Sequence, residues 1–281
     1  MTLNHKKIVF IGGGMMATAI INGLLENNLL PPHQITVADP NTQRGTFLTE
    51  TYDLHYTPDN VTAVNGANVV ILAVKPQFFD AVAADIGGRV GDTDFVLSIM
   101  AGVATDTIDH KLQMHRIVRA MPNTPGAIGA GMTAWMATDA VSPDAIQIAG
   151  TLLASLGQTL QVPKETYLDM ATAVSGSGPA YVLLFMEAMI DAAVHLGFSR
   201  ADAETLVRQT LRGTIDYAAQ SDLPLTTLRH QVTSPGGTTA EALYHMEREG
   251  LRHAVTRGIW AAFQRSQMLG GTPPRNPDTS A

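Results

Sequence analysis

The chain is 281 residues long, 45% hydrophobic and 15% charged, with a formal net charge of −7. That content is ample for a packed core and, at this length, for two domains. The negative balance excludes the basic surface on which nucleic-acid binding depends, so a small-molecule partner is expected. Cysteine is absent, which removes disulfides, thiolate metal sites and cysteine nucleophiles and suits a reducing, cytoplasmic setting.

In chain order, a polar start ends at Lys7, and the apolar run from Ile8 to Ile11 is too short for a signal-peptide core. The first half then alternates short β-rich runs with helical segments, the pattern of parallel strands joined by crossovers. Strands are expected at 7–12, 34–39, 68–74, 95–99, 116–120 and 132–136, filled almost continuously with Val, Ile and Leu as strands buried on both faces require. Beyond Pro143 such runs nearly vanish, with one weak candidate at 159–162, and apolar residues recur with the helical period. The expected fold is α/β: a Rossmann-type parallel sheet domain over 1–162, an all-helical dimerisation domain over 163–269, and a disordered Gly- and Pro-rich tail over 270–281. Ser199 with Asp202, and Thr238 with Glu241, have the spacing of a capping box.

The most apolar stretch, 180–198, is interrupted by Glu187, Asp191 and His195 at four-residue spacing, which lines all three along one helical face. A membrane span would not carry that stripe at mid-depth. The remainder of the helix is apolar nearly all round and must be covered. A domain of about a hundred residues has little such cover of its own. A second copy is expected to supply it, in a homodimer or a multiple of one.

The run Ile8-Val9-Phe10-Ile11-Gly12-Gly13-Gly14-Met15-Met16-Ala17 reads as strand, glycine turn and helix, with the pattern G-x-G-x-x-A. Gly12 permits the turn, Gly14 lets a pyrophosphate approach the backbone at the helix N-terminus, and Ala17 allows helix and strand to pack closely. The same pattern also occurs as an ordinary glycine turn. Here Asp39 ends the next strand about twenty positions on, the place of a ribose-binding carboxylate, which favours a dinucleotide. A carboxylate there accepts from a ribose 2′-hydroxyl and repels a 2′-phosphate, which favours NADH, whereas Arg44 is either a phosphate clamp or a solvated helix charge.

Further loops follow the later strands, where open parallel sheets bind ligands. They include Ala73-Val74-Lys75-Pro76, Ser98-Ile99-Met100-Ala101-Gly102 and Arg119-Ala120-Met121-Pro122-Asn123-Thr124-Pro125. In the second half, Ser175-Gly176-Ser177-Gly178-Pro179-Ala180-Tyr181 and the segment from Thr233 to Glu241 read as cradles of free amides before helices. Thr238 either caps the second helix or binds a ligand, and Thr239 is the freer hydroxyl. The nine histidines show neither metal spacing nor a catalytic dyad.

Together these segments resemble pyrroline-5-carboxylate reductase: the glycine start, Ala-Val-Lys-Pro-Gln at 73–77, Arg-Ala-Met-Pro-Asn-Thr-Pro at 119–125, Ser-Gly-Ser-Gly-Pro-Ala-Tyr at 175–181 and Ser-Pro-Gly-Gly-Thr-Thr at 234–239. The resemblance spans nearly the whole chain and implies reduction of 1-pyrroline-5-carboxylate to L-proline with NAD(P)H. It further implies a site shared between the coenzyme domain of one subunit and the Ser-Pro-Gly-Gly-Thr-Thr loop of the other. Carried over, Gly12, Gly14, Met15, Met16, Ala17, Asp39, Asn60, Ala73, Val74, Lys75 and Pro76 meet the coenzyme. Gly236, Gly237, Thr238 and Thr239 bind the substrate's carboxylate and ring nitrogen, with Ser234 and Gln231 nearby and weaker claims for Glu165 and Asp222. Many members carry a neutral or basic residue where this chain has Asp39, in keeping with NADPH, so NADPH is the expected coenzyme with NADH possible.

Because hydride attack is easier on the protonated iminium, the site needs an acceptor for that N–H more than a strong acid, and Thr239 is the candidate. Two other readings stand beside this one. A related imine reductase or β-hydroxyacid-type dehydrogenase would share both domains, but the latter usually places a lysine mid-helix in its second domain, and Lys164 is the only lysine beyond residue 111. A coenzyme-sensing binding protein would show damaged substrate loops, and residues 236–239 are intact.

Overall fold

The computed structural model describes residue 3 and residues 5–271; the tail expected at 270–281 therefore lies, from residue 272 on, outside the described residues. By packing, the chain forms two units, one running to Ser177 and resuming at Ala262, the other spanning Gly178–Ala261. This differs from the division at 162/163 expected from composition: Val162 and Leu168 are buried together with Ala134 of the sheet, so the chain just beyond 162 still packs on the first unit.

The first unit runs β1 (Ile8–Ile11), α1 (Met15–Glu26), β2 (Ile35–Ala38), α2 (Thr42–Tyr52), β3 (His55–Thr57), α3 (Asn60–Val64), β4 (Val69–Leu72), α4 (Phe79–Ile86), β5 (Phe95–Ser98), α5 (Thr105–Leu112), β6 (Ile117–Met121), β7 (Gly131–Ala137), α6 (Pro143–Ala154), β8 (Gly157–Gln161) and α7 (Thr166–Ala171). Its eight strands form one sheet in the order β3-β2-β1-β4-β5-β6-β7-β8. Strands β1 to β6 pair in parallel, and the order reverses between β1 and β4, the switch point at which such sheets open a crevice. Strand alternation divides the core. Ile8 and Phe10 pack with Ile20 and Leu24 of α1 on one face; Val9 and Ile11 pack with Phe79 and Val82 of α4 on the other.

Strand β7 corrects the expectation of a wholly parallel sheet, because it runs antiparallel to β6. The connection, residues 122–130, holds only one 3-10 turn, Thr124–Ile128, whereas a parallel return needs a crossover of about a dozen residues or more. The weak candidate at 159–162 forms as β8, parallel to β7, while β3 was not anticipated.

Beyond α7 comes a π-type turn, Thr172–Gly176, and then the second unit: α8 (Gly178–His195), α9 (Arg200–Ala219), α10 (Leu225–Gln231), α11 (Thr238–Arg248) and the first part of α12 (Leu251–Leu269). Ser199 caps α9 as its spacing predicts, its hydroxyl accepting from the Asp202 amide at 3.2 Å. The core of this unit is small, with Ile190, Ala203 and Val207 buried. Leu183, Leu184 and Phe185 stay exposed, and a groove of about 380 Å³ runs between α8 and α12, lined by Tyr181, Leu184, Phe185, Leu251, Val255 and Ile259 among others. The helical run Thr166–His195 is 30 residues long and apolar enough by composition to cross a membrane. Asp191 on it pairs with Arg200 at 2.8 Å.

One packing constraint lies close to the end of β2. A Cβ on Gly45 would stand 2.2 Å from the Tyr56 ring, and Tyr56 donates its hydroxyl to the Asp39 carbonyl at 2.9 Å. Gly45→Ala is expected to overpack the site and destabilise the protein by roughly 1–3 kcal/mol, read as a lower denaturant midpoint. An unchanged midpoint would show that Tyr56 yields without cost.

Candidate active site

The chain leaves β1 through Gly12, whose φ is +97°. Its amide donates to the Ala38 carbonyl at 2.8 Å, and Ala73 donates to the Ile11 carbonyl at 2.9 Å, which brings the ends of β1, β2 and β4 together. A Cβ on Gly12 would lie 2.9 Å from the Ala73 carbonyl oxygen and 3.0 Å from Val74 Cγ1, so three expected coenzyme residues meet at one turn. Gly14 precedes α1 with no side-chain cap, and a Cβ there would meet nothing within 4 Å. The protein's own packing thus does not demand glycine at 14, and the uncapped amides face open space, so the turn fits a dinucleotide pyrophosphate. Ala17 is fully buried against the sheet. Met16 is half-buried, and Met15 is 74% exposed at the mouth.

Asp39 and Arg44 grip the same glycine. The Gly13 amide donates to Asp39 Oδ2 at 2.8 Å, while the Gly13 carbonyl accepts from Arg44 Nε at 2.5 Å. Asp39 Oδ1 accepts a second amide, from Asn41, at 2.9 Å. Arg44 also donates to the Thr18 hydroxyl and lies over the Phe47 ring, 4.9 Å from its centroid. A cleft of about 450 Å³ opens here, lined by Gly14, Met15, Thr18, Asn22, Arg44 and Phe47 among others. Asn60 starts α3 and its side-chain amide donates to Asp85 at 2.9 Å, an engagement that its expected role did not foresee. Beside it Asp59 caps the helix. The Thr62 hydroxyl, then the Thr62 amide, hold its carboxyl below the usual carboxylate range. A lowered folded value means that the cap is complete at neutral pH and is lost only as pH falls through that value.

At the carboxyl ends of the next strands, Lys75 is exposed and precedes the 3-10 turn Pro76–Phe78. Ser98 is buried and accepts from the Met100 amide at 3.3 Å. Arg119 is only 5% exposed and donates to Glu165 Oε1 at 2.6 Å. Glu165 also accepts from the Thr105 amide at 2.7 Å and from its hydroxyl at 3.0 Å. Sequence reasoning missed this cluster, although an arginine inside Ile-Val-Arg-Ala is a signal: a charge in a buried strand demands a partner.

In the second unit, Gly237 rather than Thr238 is the N-cap of α11, again without a side-chain bond. The Thr238–Glu241 capping box does not form; Glu241 lies 3.3 Å from His245 instead. Gly236 has a φ of +69°, which the turn reserves for glycine, and a Cβ on Gly237 would crowd the Ser234 hydroxyl and lie 3.2 Å from the Ser234 carbonyl oxygen. The Gly237 amide donates to the Ser234 carbonyl at 3.1 Å. Ser234, Gly236, Gly237, Thr238 and Thr239 therefore form one loop ending in uncapped amides, while Gln231, on α10, accepts from the Tyr217 hydroxyl at 3.1 Å. The other expected cradle, around Ser175–Tyr181, is less open than anticipated, since the Ser177 amide is taken by the Thr172 carbonyl at 2.8 Å.

Comparison with known proteins agrees with this arrangement. Residues 165–269 match the family model described as pyrroline-5-carboxylate reductase dimerisation, and residues 7–102 match that of NADP oxidoreductase, coenzyme F420-dependent. The chain is 42% identical over 260 residues to a pyrroline-5-carboxylate reductase of Synechocystis sp., covering 92% of this chain and 97% of that one. A solved pyrroline-5-carboxylate reductase from Coxiella burnetii is similar with a TM-score of 0.87 at 37% identity, over 95% of this chain and 99% of that one. Plasmodium falciparum pyrroline carboxylate reductase, solved with NADP bound, gives 0.87 at 30% identity, over 96% and 100%. With this likeness running through both units and over nearly its full length, the chain belongs to the pyrroline-5-carboxylate reductase family.

Proposed function

We propose that this protein reduces 1-pyrroline-5-carboxylate to L-proline, the last step of proline biosynthesis, with NADPH as coenzyme. The observation that carries the reading is the pair of glycine-framed, uncapped helix N-termini, at Gly14 on α1 and at Gly237 on α11, in a chain of this family. The first suits a pyrophosphate and the second a carboxylate, because unsatisfied amides and the helix dipole both favour negative charge. In this reading residues 1–162 carry the coenzyme and residues 163–269 the substrate loop and the subunit interface.

Bound reduced coenzyme supplies the hydride that adds to the imine carbon. The chain's own residues bind and orient the substrate. The Thr238 and Thr239 amides hold the carboxylate, with Ser234 and Gln231 at the edge. The Thr239 hydroxyl accepts the iminium N–H, which keeps the ring protonated and turned toward the donor. Holding both reactants in register is where most of the acceleration arises.

For the coenzyme, Arg44 offers the positive charge that a 2′-phosphate needs beside the glycine turn, and Asp39, both of whose oxygens accept backbone amides, keeps lone pairs for a ribose hydroxyl. NADPH is the preferred donor and NADH a usable one. The exposed face of α8 and the groove beside α12 seat a second subunit rather than lipid, since Glu187 and Asp191 stand in mid-helix. The resulting homodimer, or assembly of dimers, works in the cytoplasm.

Purified protein should oxidise NADPH, and NADH more slowly, only when 1-pyrroline-5-carboxylate is added, with proline formed; binding of coenzyme without turnover would sink the assignment. Thr239→Ala should cut kcat/KM for the imine by roughly tenfold or more, the worth of one hydrogen bond to a charged group, and unchanged kinetics would remove Thr239 from its role. Arg44→Gln should lower kcat/KM with NADPH by about the same factor and leave NADH nearly untouched. An equal loss with both coenzymes would make Arg44 a brace for the loop alone.

A further inference from the structure

The π-type turn Thr172–Gly176 stands just ahead of a proline, Pro179. Were the helix to continue unbroken, the Ser175 carbonyl would accept from the residue four positions on, and that residue is Pro179, which has no N–H. The Ser175 carbonyl accepts from outside the helix: Asn123 Nδ2 donates to it at 3.0 Å. The opposite end of the same amide group is equally committed, because Asn123 Oδ1 accepts from the Met132 amide at 2.9 Å. A backbone N–H can only donate and a carbonyl can only accept, so the orientation of the Asn123 side chain is forced, and an ionised carboxylate in its place, which only accepts, could not satisfy both sides. Its neighbour fits the same turn, since a Cβ on Gly176 would stand 2.9 Å from the Met121 methyl group.

Residues 122–125 follow β6 at the carboxyl edge of the sheet, where an open parallel sheet holds its ligand. We infer that Asn123 is a positioning residue for the reduction: it pins the β6–β7 connection to the helix break and so holds in place the wall against which coenzyme and imine are aligned. This rests on the reductase reading above, but the pinning itself can be observed without turnover. Both polar ends of the Asn123 side chain are committed to backbone groups. It acts through the backbone of the loop that it fastens.

The test uses Asn123→Asp and Asn123→Ala in the full chain, with kcat, KM for coenzyme and hydrogen exchange measured at temperatures where both variants are folded. In Asn123→Asp the ionised side chain still accepts from Met132 but faces the Ser175 carbonyl with no proton to give. Its kcat at neutral pH should fall roughly ten- to a hundredfold, the cost of a small misplacement, with KM for coenzyme nearly unchanged. Protonation restores the donor, so the deficit relative to the unaltered protein should shrink as pH falls toward the carboxyl range, near about pH 4–5. Asn123→Ala should show the same loss at every pH and lose exchange protection at the Met132 amide, which Asn123→Asp should keep.

Pro179→Ala on the Asn123→Ala background separates positioning from plain stability. It gives the Ser175 carbonyl a donor from within the helix, so the melting temperature should recover while kcat does not. Recovery of kcat together with the melting temperature, or full turnover by Asn123→Asp at neutral pH, would overturn the inference. If the unaltered protein reduces no imine, the functional reading fails on its own, and the Met132 exchange pattern still decides whether Asn123 pins the loop.

Discussion

At Gly12, where β1 gives way to the turn before α1, the chain has room for a hydrogen atom and little for a methyl group, because a Cβ there would stand 2.9 Å from the Ala73 carbonyl oxygen. The crowding is a consequence of parallel pairing. Strands β1 and β4 are neighbours at the switch point, and both end at the same level. Only a residue that tolerates positive φ can turn between them into a helix. Three features of the first unit follow from that turn: the uncapped α1 amides, the open space at Gly14, and a buried Gly13 peptide whose two polar groups are both taken by side chains. Asp39 and Arg44 then take the two sides of Gly13, one from the end of β2 and one from α2, so the loop is gripped by one acidic and one basic side chain.

A second constraint is electrostatic. Burying the Arg119 guanidinium in a strand costs several kcal/mol in lost hydration, which the contact with Glu165 offsets only because the geometry is close and further hydrogen bonds complete the carboxylate. Such a pair adds little to net stability but penalises every arrangement in which it is broken. Thr105 at the start of α5, Arg119 on β6 and Glu165 just before α7 are thereby held in one relation. Asn123 does for the next loop, with neutral groups, what Arg119 does for the strand. In each case a polar group supplied by the β6 segment answers a demand raised more than forty residues later in the chain.

How legible this was depended on range. The glycine turn, five of the first six strands and the helical character of the second half follow from local pattern, and each stands where the residues imply. The reversal at β7 was not legible from strand composition, because Met132–Met136 is as apolar as its neighbours; it was legible from the short connection before it. The capping box suggested by the Thr238–Glu241 spacing does not form, because Gly237 holds the N-cap position of α11 and Thr238 lies one residue inside the helix. The partners of Arg119, Asn60 and Asn123 were hidden for a different reason. Each is a contact between segments far apart in sequence, made by polar side chains that carry no periodic signal.

The two units differ in how completely they satisfy themselves. The first has apolar cores on both faces of its sheet. In the second, few apolar side chains are buried, while Leu184 is 67% exposed and Val182, Leu183 and Phe185 beside it are open as well. A small unit with so little interior gains too little from burial to offset the entropy of ordering its helices. Covering the α8 face would supply the missing apolar burial. Folding of the helical unit is then coupled to association, and its stability depends on protein concentration in a way that the stability of a self-contained domain does not. The loop at 234–239, which the sequence leads one to expect against the substrate, belongs to this unit.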